Sequence, residues 1–173
     1  MNILERFKSV RLFAFDMDGV LTDGSLLVMP DGEWVRRMNI RDGFALQLAV
    51  RMGYQVAVIS GSSSQPVADR MHKLGVQHMF ESAGDKARCL NDLVSGLGLA
   101  PEQVLFMGDD VPDLPALQVA GLPACPSDAA DDVRLVARYI SPFNGGEGCV
   151  RDVIEKTLRL NGHWDLHSGL RST

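Results

Sequence analysis

The segment VRLFAFDMDG, residues 10–19, places an apolar run directly before two aspartates that are separated by one residue. Two further apolar runs end in the same abrupt way, QVAVIS at Ser60 and VLFMGD at Asp109. Runs without polar alternation are typical of strands that are buried on both faces of a parallel sheet. Because the carboxyl ends of such strands meet at one edge of the sheet, we expect Asp16, Ser60 and Asp109 to lie close together.

Segments with helical periodicity lie between these strands, and residues that cap helices bound them. The expected helix starts are Asp42 or Gly43, a serine before Gln65, and Asp85, and the first two helices are expected to end at Gly53 and Gly75. Weaker strand signals cover residues 76–80, 122–125 and 138–140. This alternation predicts an α/β fold with a doubly wound parallel sheet.

One segment breaks the alternation, because two short extended runs flank Asp31-Gly32, a dipeptide strongly favoured in tight hairpin turns. We expect a β-hairpin over about residues 25–40 that projects just after the first strand. No other insertion exceeds loop length, so the ligand crevice should be uncovered within one subunit, without a cap domain. Residues 1–173 are expected to form a single domain, with an aperiodic tail over about residues 162–173.

The composition of the chain is that of a packed, soluble domain, with 46% hydrophobic and 23% charged residues. A formal net charge of -5 gives no sequence-wide positive surface for nucleic acid or anionic membranes. The lack of a long apolar stretch and of a secretion signal favours the cytoplasm. The three cysteines, Cys89, Cys125 and Cys149, are odd in number and widely spaced, which indicates neither a disulfide framework nor a zinc site.

Two aspartates in one crevice predict a site for a divalent cation, and the residues around them are compatible with phosphoryl transfer. Asp16 and Asp109 would repel each other and a phosphate dianion unless a cation offsets their charge. Oxygen ligands without a nearby Cys or His favour Mg²⁺. Lys86, at the start of a helix, adds a second positive charge for the phosphoryl oxygens. A carboxylate nucleophile can accept the phosphoryl group as an aspartyl-phosphate, and we assign this role to Asp16.

Several neighbouring residues can assist this reaction. Asp18 returns to the same face of an extended segment as Asp16, so it can protonate the leaving alkoxide and later deprotonate water. Ser60 and Gly61 are expected to bind phosphate oxygens beside a helix N-terminus. Asp110 and Asp113 are expected to orient metal-bound water.

The ordered set of these motifs resembles the haloacid dehalogenase-like phosphatase superfamily. The matching segments are Asp16 to Gly19, Ser60-Gly61, Lys86, and Gly108-Asp109-Asp110. The resemblance implies a Rossmann-like fold without a cap. It also implies that the main-chain carbonyl of Asp18 joins the carboxylates of Asp16 and Asp109 around Mg²⁺.

A finer resemblance extends over nearly the whole chain. The hairpin, NIRDG at residues 39–43 and GGEGCVRD at residues 145–152 resemble the 3-deoxy-D-manno-octulosonate 8-phosphate (KDO 8-phosphate) phosphatase family. This implies release of phosphate and KDO, a lipopolysaccharide precursor, by a homotetramer in which the neighbour's hairpin helps to close each active site and a flexible tail can cover it. Arg41 and Arg151 are candidate contacts for the sugar-acid carboxylate, because guanidinium forks match carboxylates in geometry.

Two positions depart from the family pattern, since Ser62 stands where many members carry Arg and Asp152 stands where Glu is usual. A related branch that acts on 2-keto-3-deoxy-nonulosonate 9-phosphate shares the core motifs but lacks Arg-Asp-Gly, and another sugar phosphate is a further alternative. An idle oligomerisation module is a hypothesis from a different class. The sequence argues against this hypothesis, because an idle module has no physical need for a mutually repelling set of charged groups. That set consists of Asp16, Asp18, Lys86 and Asp109.

Overall fold

A computed structural model describes residues 2–164 of the chain. Six parallel strands form the central sheet, helices cover both of its faces, and a two-stranded antiparallel ribbon lies outside it. The strands are β1 (Leu12–Phe15), β2 (Leu27–Val28), β3 (Trp34–Val35), β4 (Gln55–Ile59), β5 (His78–Phe80), β6 (Val104–Met107), β7 (Leu122–Cys125) and β8 (Tyr139–Ile140). The helices are α1 (Ile3–Ser9), α2 (Ile40–Arg51), α3 (Gln65–Lys73), α4 (Lys86–Gly96), α5 (Leu114–Val119), α6 (Asp131–Val136) and α7 (Cys149–Leu160), with short 3-10 turns at Pro101–Gln103 and Val111–Asp113. The predicted doubly wound α/β fold is confirmed.

Strand β1 shows why the apolar runs do not alternate with polar residues. Phe13 and Phe15 point to the face covered by α1, α2 and α7, whereas Leu12 and Ala14 point to the face covered by α4, α5 and α6. Both faces of the strand are therefore buried, and a polar side chain on either face would lose its contact with water.

The strand order β5-β4-β1-β6-β7-β8 places a topological switch point between β1 and β6. The chain continues from β1 towards β4 and β5, then crosses to β6 and continues in the opposite direction. Such a reversal opens a crevice at the carboxyl ends of the two central strands. The amide of Asp16 donates to the carbonyl of Met107 at 2.9 Å, which aligns the ends of β1 and β6.

The start of α2 differs from the prediction. The helix begins at Ile40, because the side chain of Asn39 accepts a hydrogen bond from the amide of Arg41 at 2.8 Å and caps the first turn. Asp42 and Gly43, the two predicted starts, both lie inside the helix and are buried. The prediction for α4 is confirmed, since Asp85 accepts a hydrogen bond from the amide of Arg88 at 2.9 Å.

The ribbon of β2 and β3 confirms the predicted hairpin, with a left-handed Gly32 at its turn. Its apolar side chains do not pack onto the domain from which they project. Leu27 and Val28 on β2 and Trp34 on β3 are all more than half exposed. Within one subunit, the ribbon therefore presents an uncovered apolar surface.

The predicted tail begins with a docked turn. After α7 ends, the ring nitrogen Nδ1 of His163 lies 2.9 Å from the hydroxyl of Tyr54. Trp164 packs edge-on against Phe44, with the ring centroids 6.1 Å apart. The remaining tail, residues 165–173, lies outside the described residues. Among residues 2–164, no helix is both long enough and apolar enough to cross a membrane.

Candidate active site

Three carboxylates gather in the crevice at the switch point. Asp16 follows β1, Asp109 lies two residues beyond β6, and Asp113 ends the 3-10 turn that leads into α5. Each offers an oxygen, and these atoms all lie within 4.8 Å of one another. The structure thus brings Asp16 and Asp109 together as expected, and it adds Asp113 to the same cluster.

Among residues 2–164, Lys86 is the cation in direct contact with this cluster. Its Nζ lies 2.8 Å from Oδ1 of Asp16 and 2.6 Å from Oδ1 of Asp113, and its side chain is largely buried. Burial opposes the charge of Lys86, but the carboxylates of Asp16 and Asp113 outweigh that effect and raise its pKa. One ammonium group faces three carboxylates, so the cluster favours the binding of further positive charge.

The excess of negative charge perturbs the carboxylates themselves. Burial, followed by repulsion from Asp113, raises the pKa of Asp16 to about 6. Burial, followed by repulsion from Asp16 and Asp113, raises the pKa of Asp109 to about 7. Within the described part of the chain, Oδ1 of Asp109 is buried and has no hydrogen-bond partner. An all-oxygen donor set with an unpartnered carboxylate oxygen fits a hard divalent cation such as Mg²⁺.

Glycines allow the loops of the site to approach this closely. Gly19 has a left-handed φ of 90°, and a Cβ at this position would collide with the carboxylate of Asp109. A Cβ at Gly108 would collide with the side chain of Asp113. Any larger residue at either position would displace a carboxylate of the cluster.

The carboxylate of Asp18 is not one of the three clustered carboxylates, and it contacts the hairpin. Its Oδ1 accepts a hydrogen bond from Nε of Arg36 at 2.7 Å, and its Oδ2 accepts one from the Ser62 hydroxyl at 2.8 Å. The side chain of Asp18 is therefore held by the hairpin and Ser62. Its main-chain carbonyl is the group that the family resemblance assigns to the metal. The sequence did not single out Arg36, because nothing distinguishes it from Arg37, which is exposed and pairs with Asp23 at 2.7 Å.

The other predicted phosphate contacts lie at the end of β4. Ser60 is buried, and its Oγ accepts a hydrogen bond from the amide of Ser62 at 3.1 Å. Gly61 is exposed, and a Cβ built there meets no atom within 4 Å, so this bend is open to a ligand. Asp110 is exposed and accepts a hydrogen bond from the amide of Val111 at 2.8 Å, as the cap of the 3-10 turn. Its role in orienting water stays a prediction.

The two candidate arginines share a different cavity. Arg41 and Arg151 line a space of ≈ 730 Å³ at the start of α7, whose lining includes none of the three clustered carboxylates. The Nε of Arg151 donates to Glu155 at 2.9 Å, and its guanidinium lies 5.3 Å from the ring centre of Trp164. Their contact with a sugar-acid carboxylate therefore stays a prediction.

The NIRDG segment has a structural role that the sequence did not reveal. Asp42 is buried, and its Oδ1 accepts a hydrogen bond from the amide of Arg151 at 2.7 Å. Gly148, which precedes α7, has no side chain to cap that helix, so Asp42 on α2 caps it instead. A Cβ at Gly43 would lie 2.9 Å from the guanidinium of Arg70. Asp42 and Gly43 thus serve the packing of α2 against its neighbours.

Asp152, the second departure from the family pattern, also has a structural contact. Its carboxylate accepts hydrogen bonds from the hydroxyls of Tyr139 at 2.6 Å and Ser141 at 3.0 Å. These bonds join α7 to β8 and the loop that follows it.

Comparisons with known proteins agree with this architecture. A haloacid dehalogenase-like hydrolase model matches residues 34–121. The 3-deoxy-D-manno-octulosonate 8-phosphate phosphatase KdsC of Escherichia coli (strain K12) is 33% identical over 168 residues, which cover 97% of this chain and 89% of the relative. The crystal structure of the phosphatase of that name from Yersinia pestis is 31% identical, with a TM-score of 0.93, and the match covers 97% of this chain and 91% of that one.

A third relative has the expected ligands bound. The 3-deoxy-D-manno-octulosonate 8-phosphate phosphatase from Moraxella catarrhalis, solved in complex with magnesium ion, phosphate ion and KDO, is 34% identical. Its TM-score is 0.88, and the match covers 91% of each chain. The chain therefore belongs to the haloacid dehalogenase-like hydrolases, in the family of the 3-deoxy-D-manno-octulosonate 8-phosphate phosphatases.

Proposed function

We propose that this protein is a Mg²⁺-dependent phosphatase that hydrolyses 3-deoxy-D-manno-octulosonate 8-phosphate to KDO and phosphate, a step in lipopolysaccharide precursor synthesis. The observation that carries the proposal is the cluster of Asp16, Asp109 and Asp113 at the switch point, with Lys86 in contact with two of its carboxylates. The relative with magnesium, phosphate and KDO bound supports both the metal and the sugar acid.

The metal site would use oxygen atoms from the two segments that follow β1 and β6. The carboxylates of Asp16 and Asp109, with the main-chain carbonyl of Asp18, would hold Mg²⁺. When bound, the ion supplies positive charge that stabilises the phosphoryl oxygens. Lys86 adds an ammonium group next to Asp16, and Asp113 holds Lys86 in place through a bond of 2.6 Å.

Asp16 would act as the nucleophile. Its Oδ1 accepts a hydrogen bond from the amide of Met17 at 2.7 Å and lies 2.8 Å from Lys86, so we assign the attack to Oδ2. A bond forms between this oxygen and phosphorus while the bond from phosphorus to the sugar oxygen breaks, which gives an aspartyl-phosphate. Water then attacks phosphorus, releases inorganic phosphate and regenerates the Asp16 carboxylate.

Asp18 would move the protons of both steps. It donates a proton to the departing sugar oxygen, and its carboxylate then takes a proton from the attacking water. Ser60 and the open bend at Gly61 would bind phosphate oxygens beside it. Asp110 and Asp113 would help to orient water near the metal. Arg41 and Arg151 would bind the sugar-acid carboxylate.

The experiment that tests this function is phosphate release from a panel of substrates, with Mg²⁺ and with a chelator. We expect Mg²⁺-dependent release with a preference for KDO 8-phosphate. A preference for 2-keto-3-deoxy-nonulosonate 9-phosphate or for hexose phosphates would reassign the substrate. No release from any of them would favour the idle oligomerisation module.

The assembly would be a cytoplasmic homotetramer in which the hairpin of one subunit closes the site of another. The exposed hairpin residues Leu27, Val28 and Trp34 support such a contact, since apolar side chains of this size are usually covered. The net charge of -5 supports neither nucleic acid nor anionic membrane as a partner.

Replacing Trp34 tests this assembly. Trp34 is 58% exposed in one subunit, so Trp34→Glu should leave the subunit folded but place a charge in the proposed interface. We expect light scattering after size exclusion to show a tetramer for the wild type and smaller species for the variant. A wild-type monomer, or a variant that remains tetrameric, would contradict a hairpin interface.

A further inference from the structure

Arg36 differs from the other side chains of the hairpin because it is buried. It directly follows β3, and its side chain is only 4% exposed, whereas that of the adjacent Arg37 is 76% exposed. Removing a guanidinium from water is costly unless charged or polar partners compensate for the lost hydration. The partners of Arg36 therefore indicate why the chain buries it.

The donors of Arg36 converge mainly on the carboxylate of Asp18. Nε lies 2.7 Å from Oδ1, and Nη2 lies 3.2 Å from Oδ2, in the two-pronged arrangement that fixes the plane of a carboxylate. Nη2 also lies 3.3 Å from the hydroxyl of Ser62, and Nη1 lies 3.4 Å from the carbonyl of Trp34. Ser62 in turn donates to Oδ2 of Asp18 at 2.8 Å.

This arrangement leaves Asp18 accessible while it makes Arg36 a poor ligand for substrate. The side chain of Asp18 is 31% exposed, so part of the carboxylate remains open to a reacting group. Both guanidinium edges of Arg36 already have protein partners within the described residues, and almost none of its side chain reaches solvent. Its geometry suits orientation of another side chain better than direct binding of phosphate.

We propose that Arg36 is a positioning residue that orients Asp18 for proton transfer to the departing sugar oxygen. The inference rests on the proposed function, because it assigns Arg36 to the same phosphoryl transfer. It also means that the hairpin takes part in catalysis within its own subunit. Three hydrogen bonds from Arg36 and Ser62 hold the Asp18 carboxylate, so their loss lets it rotate away from the reacting oxygen.

The dependence of kcat/KM on the leaving group distinguishes a positioning role of Arg36 from a merely structural one. A sugar alkoxide needs a proton as its bond to phosphorus breaks, whereas p-nitrophenolate is weakly basic and leaves with little help. We expect Arg36→Met to lower kcat/KM for KDO 8-phosphate by about 10²-fold and kcat/KM for p-nitrophenyl phosphate by less than about tenfold. Arg36→Lys should recover part of the loss, because an ammonium group can keep one bond to Asp18.

The matched control is Arg37→Met, which removes the neighbouring guanidinium from the same hairpin. Arg37 contacts Asp23 and not Asp18, so we expect the ratio of the two kcat/KM values to stay at the wild-type value. A second test combines Arg36→Met with Asp18→Asn. We expect the double variant to be no slower with KDO 8-phosphate than Asp18→Asn alone, since both changes remove the same proton transfer.

Equal losses of kcat/KM for both substrates, or additive losses in the double variant, would overturn the role of Arg36. An inactive wild-type enzyme would instead overturn the proposed function, so the two failures are distinguishable. Where circular dichroism shows that Arg36→Met does not fold, Ser62→Ala takes its place. That change removes one donor to Asp18 without leaving a buried charge, and it should shift the substrate ratio in the same direction by a smaller factor.

Discussion

Asp16 and Asp42 show how one residue type takes different roles according to its neighbours. Both carboxyl groups are buried, and burial raises the pKa of each to about 6. Asp16 faces two other carboxylates and Lys86, whereas Asp42 faces the amide of Arg151 at the start of α7. A raised pKa by itself does not identify a nucleophile, and the surrounding groups decide between reaction and helix capping.

Replacement of Asp16 tests its assignment as nucleophile. Asp16→Asn keeps the side-chain shape but gives a much poorer nucleophile, so we expect phosphate release to fall by at least about 10³-fold. The variant also removes one of three mutually repelling charges, so its melting temperature without Mg²⁺ should not fall. Activity assays and thermal denaturation measure the two effects. Residual activity near that of the wild type would exclude Asp16 as the nucleophile.

Asp42 gives a prediction for the pH dependence of stability. Because its pKa is raised in the folded state, the folded protein binds more protons than the unfolded chain between about pH 4 and 6. Ionisation of this carboxyl therefore lowers the free energy of unfolding as pH rises through that window. The destabilisation reaches its full value above the pKa that Asp42 has in the folded protein.

Asp42→Asn removes this penalty and keeps an oxygen that can cap α7. We expect the variant to gain stability relative to the wild type between pH 4 and pH 7, by up to about 3 kcal/mol. Urea denaturation at the two pH values measures the difference. Asp42→Ala is the control, because it also removes the penalty but loses the cap, at a cost of about 1 kcal/mol. A pH-independent difference between Asp42→Asn and the wild type would refute the effect.

At the scale of elements, the site depends on close packing between loops that come from opposite ends of the chain. The loop before α7 lies against the turn that follows β1. A Cβ at Gly145 would collide with the carbonyl oxygen of Gly19, and one at Gly146 would approach the amide of Asp23. The amide of Gly146 also donates to the carbonyl of Val20 at 2.9 Å. Movement of this loop would therefore shift the turn that contains Asp18.

Gly145→Ala tests this contact between loops. Overpacking against backbone should destabilise the fold by about 1–3 kcal/mol, which corresponds to a fall in melting temperature of several degrees. Activity should fall as well, because the turn after β1 moves. Gly96→Ala is the matched control, since a Cβ there meets no atom within 4 Å and Gly96 lies in the last turn of α4. A melting temperature for Gly145→Ala equal to that of the control would show that the loops adjust freely.

At the scale of the whole molecule, the acidic cluster couples metal binding to stability. Mg²⁺ that binds only the folded state, at about 100 times its Kd, should raise the free energy of unfolding by about 2.7 kcal/mol. The effect should be weaker at pH 5 than at pH 8, because burial and the neighbouring carboxylates raise the pKa of Asp109 to about 7 and the ion must displace its proton.

Thermal denaturation with Mg²⁺ or with a chelator measures this coupling. Asp109→Asn should reduce the Mg²⁺-dependent shift in melting temperature, because it removes one proposed ligand. Asp92→Asn is a suitable comparison, since Asp92 is exposed on α4 and does not belong to the cluster. Equal shifts for the wild type and Asp109→Asn would place the metal elsewhere.

The sequence alone was enough to predict the strands, the hairpin and the close approach of Asp16 and Asp109. The apolar composition of residues 10–15 indicates a central strand that is buried on both faces. The backbone preferences of Asp31-Gly32 indicate a tight hairpin turn. The position of Asp16 and Asp109 at strand ends then follows from the parallel sheet. The start of α2 was predicted wrongly, because Asn39 and Asp42 are both good capping residues and the sequence does not show which one faces the helix.

Only the tertiary structure decided which side chains meet across the elements. In the structure, Arg36 pairs with Asp18, and Asp42 caps α7. Arg41 and Arg151 line a cavity that is separate from the clustered carboxylates. Asp42 and Arg151 are 109 positions apart in the chain, so no local pattern relates them. Strand burial and turn type are determined by neighbouring residues, whereas the partner of a buried charge is determined by how distant elements pack together.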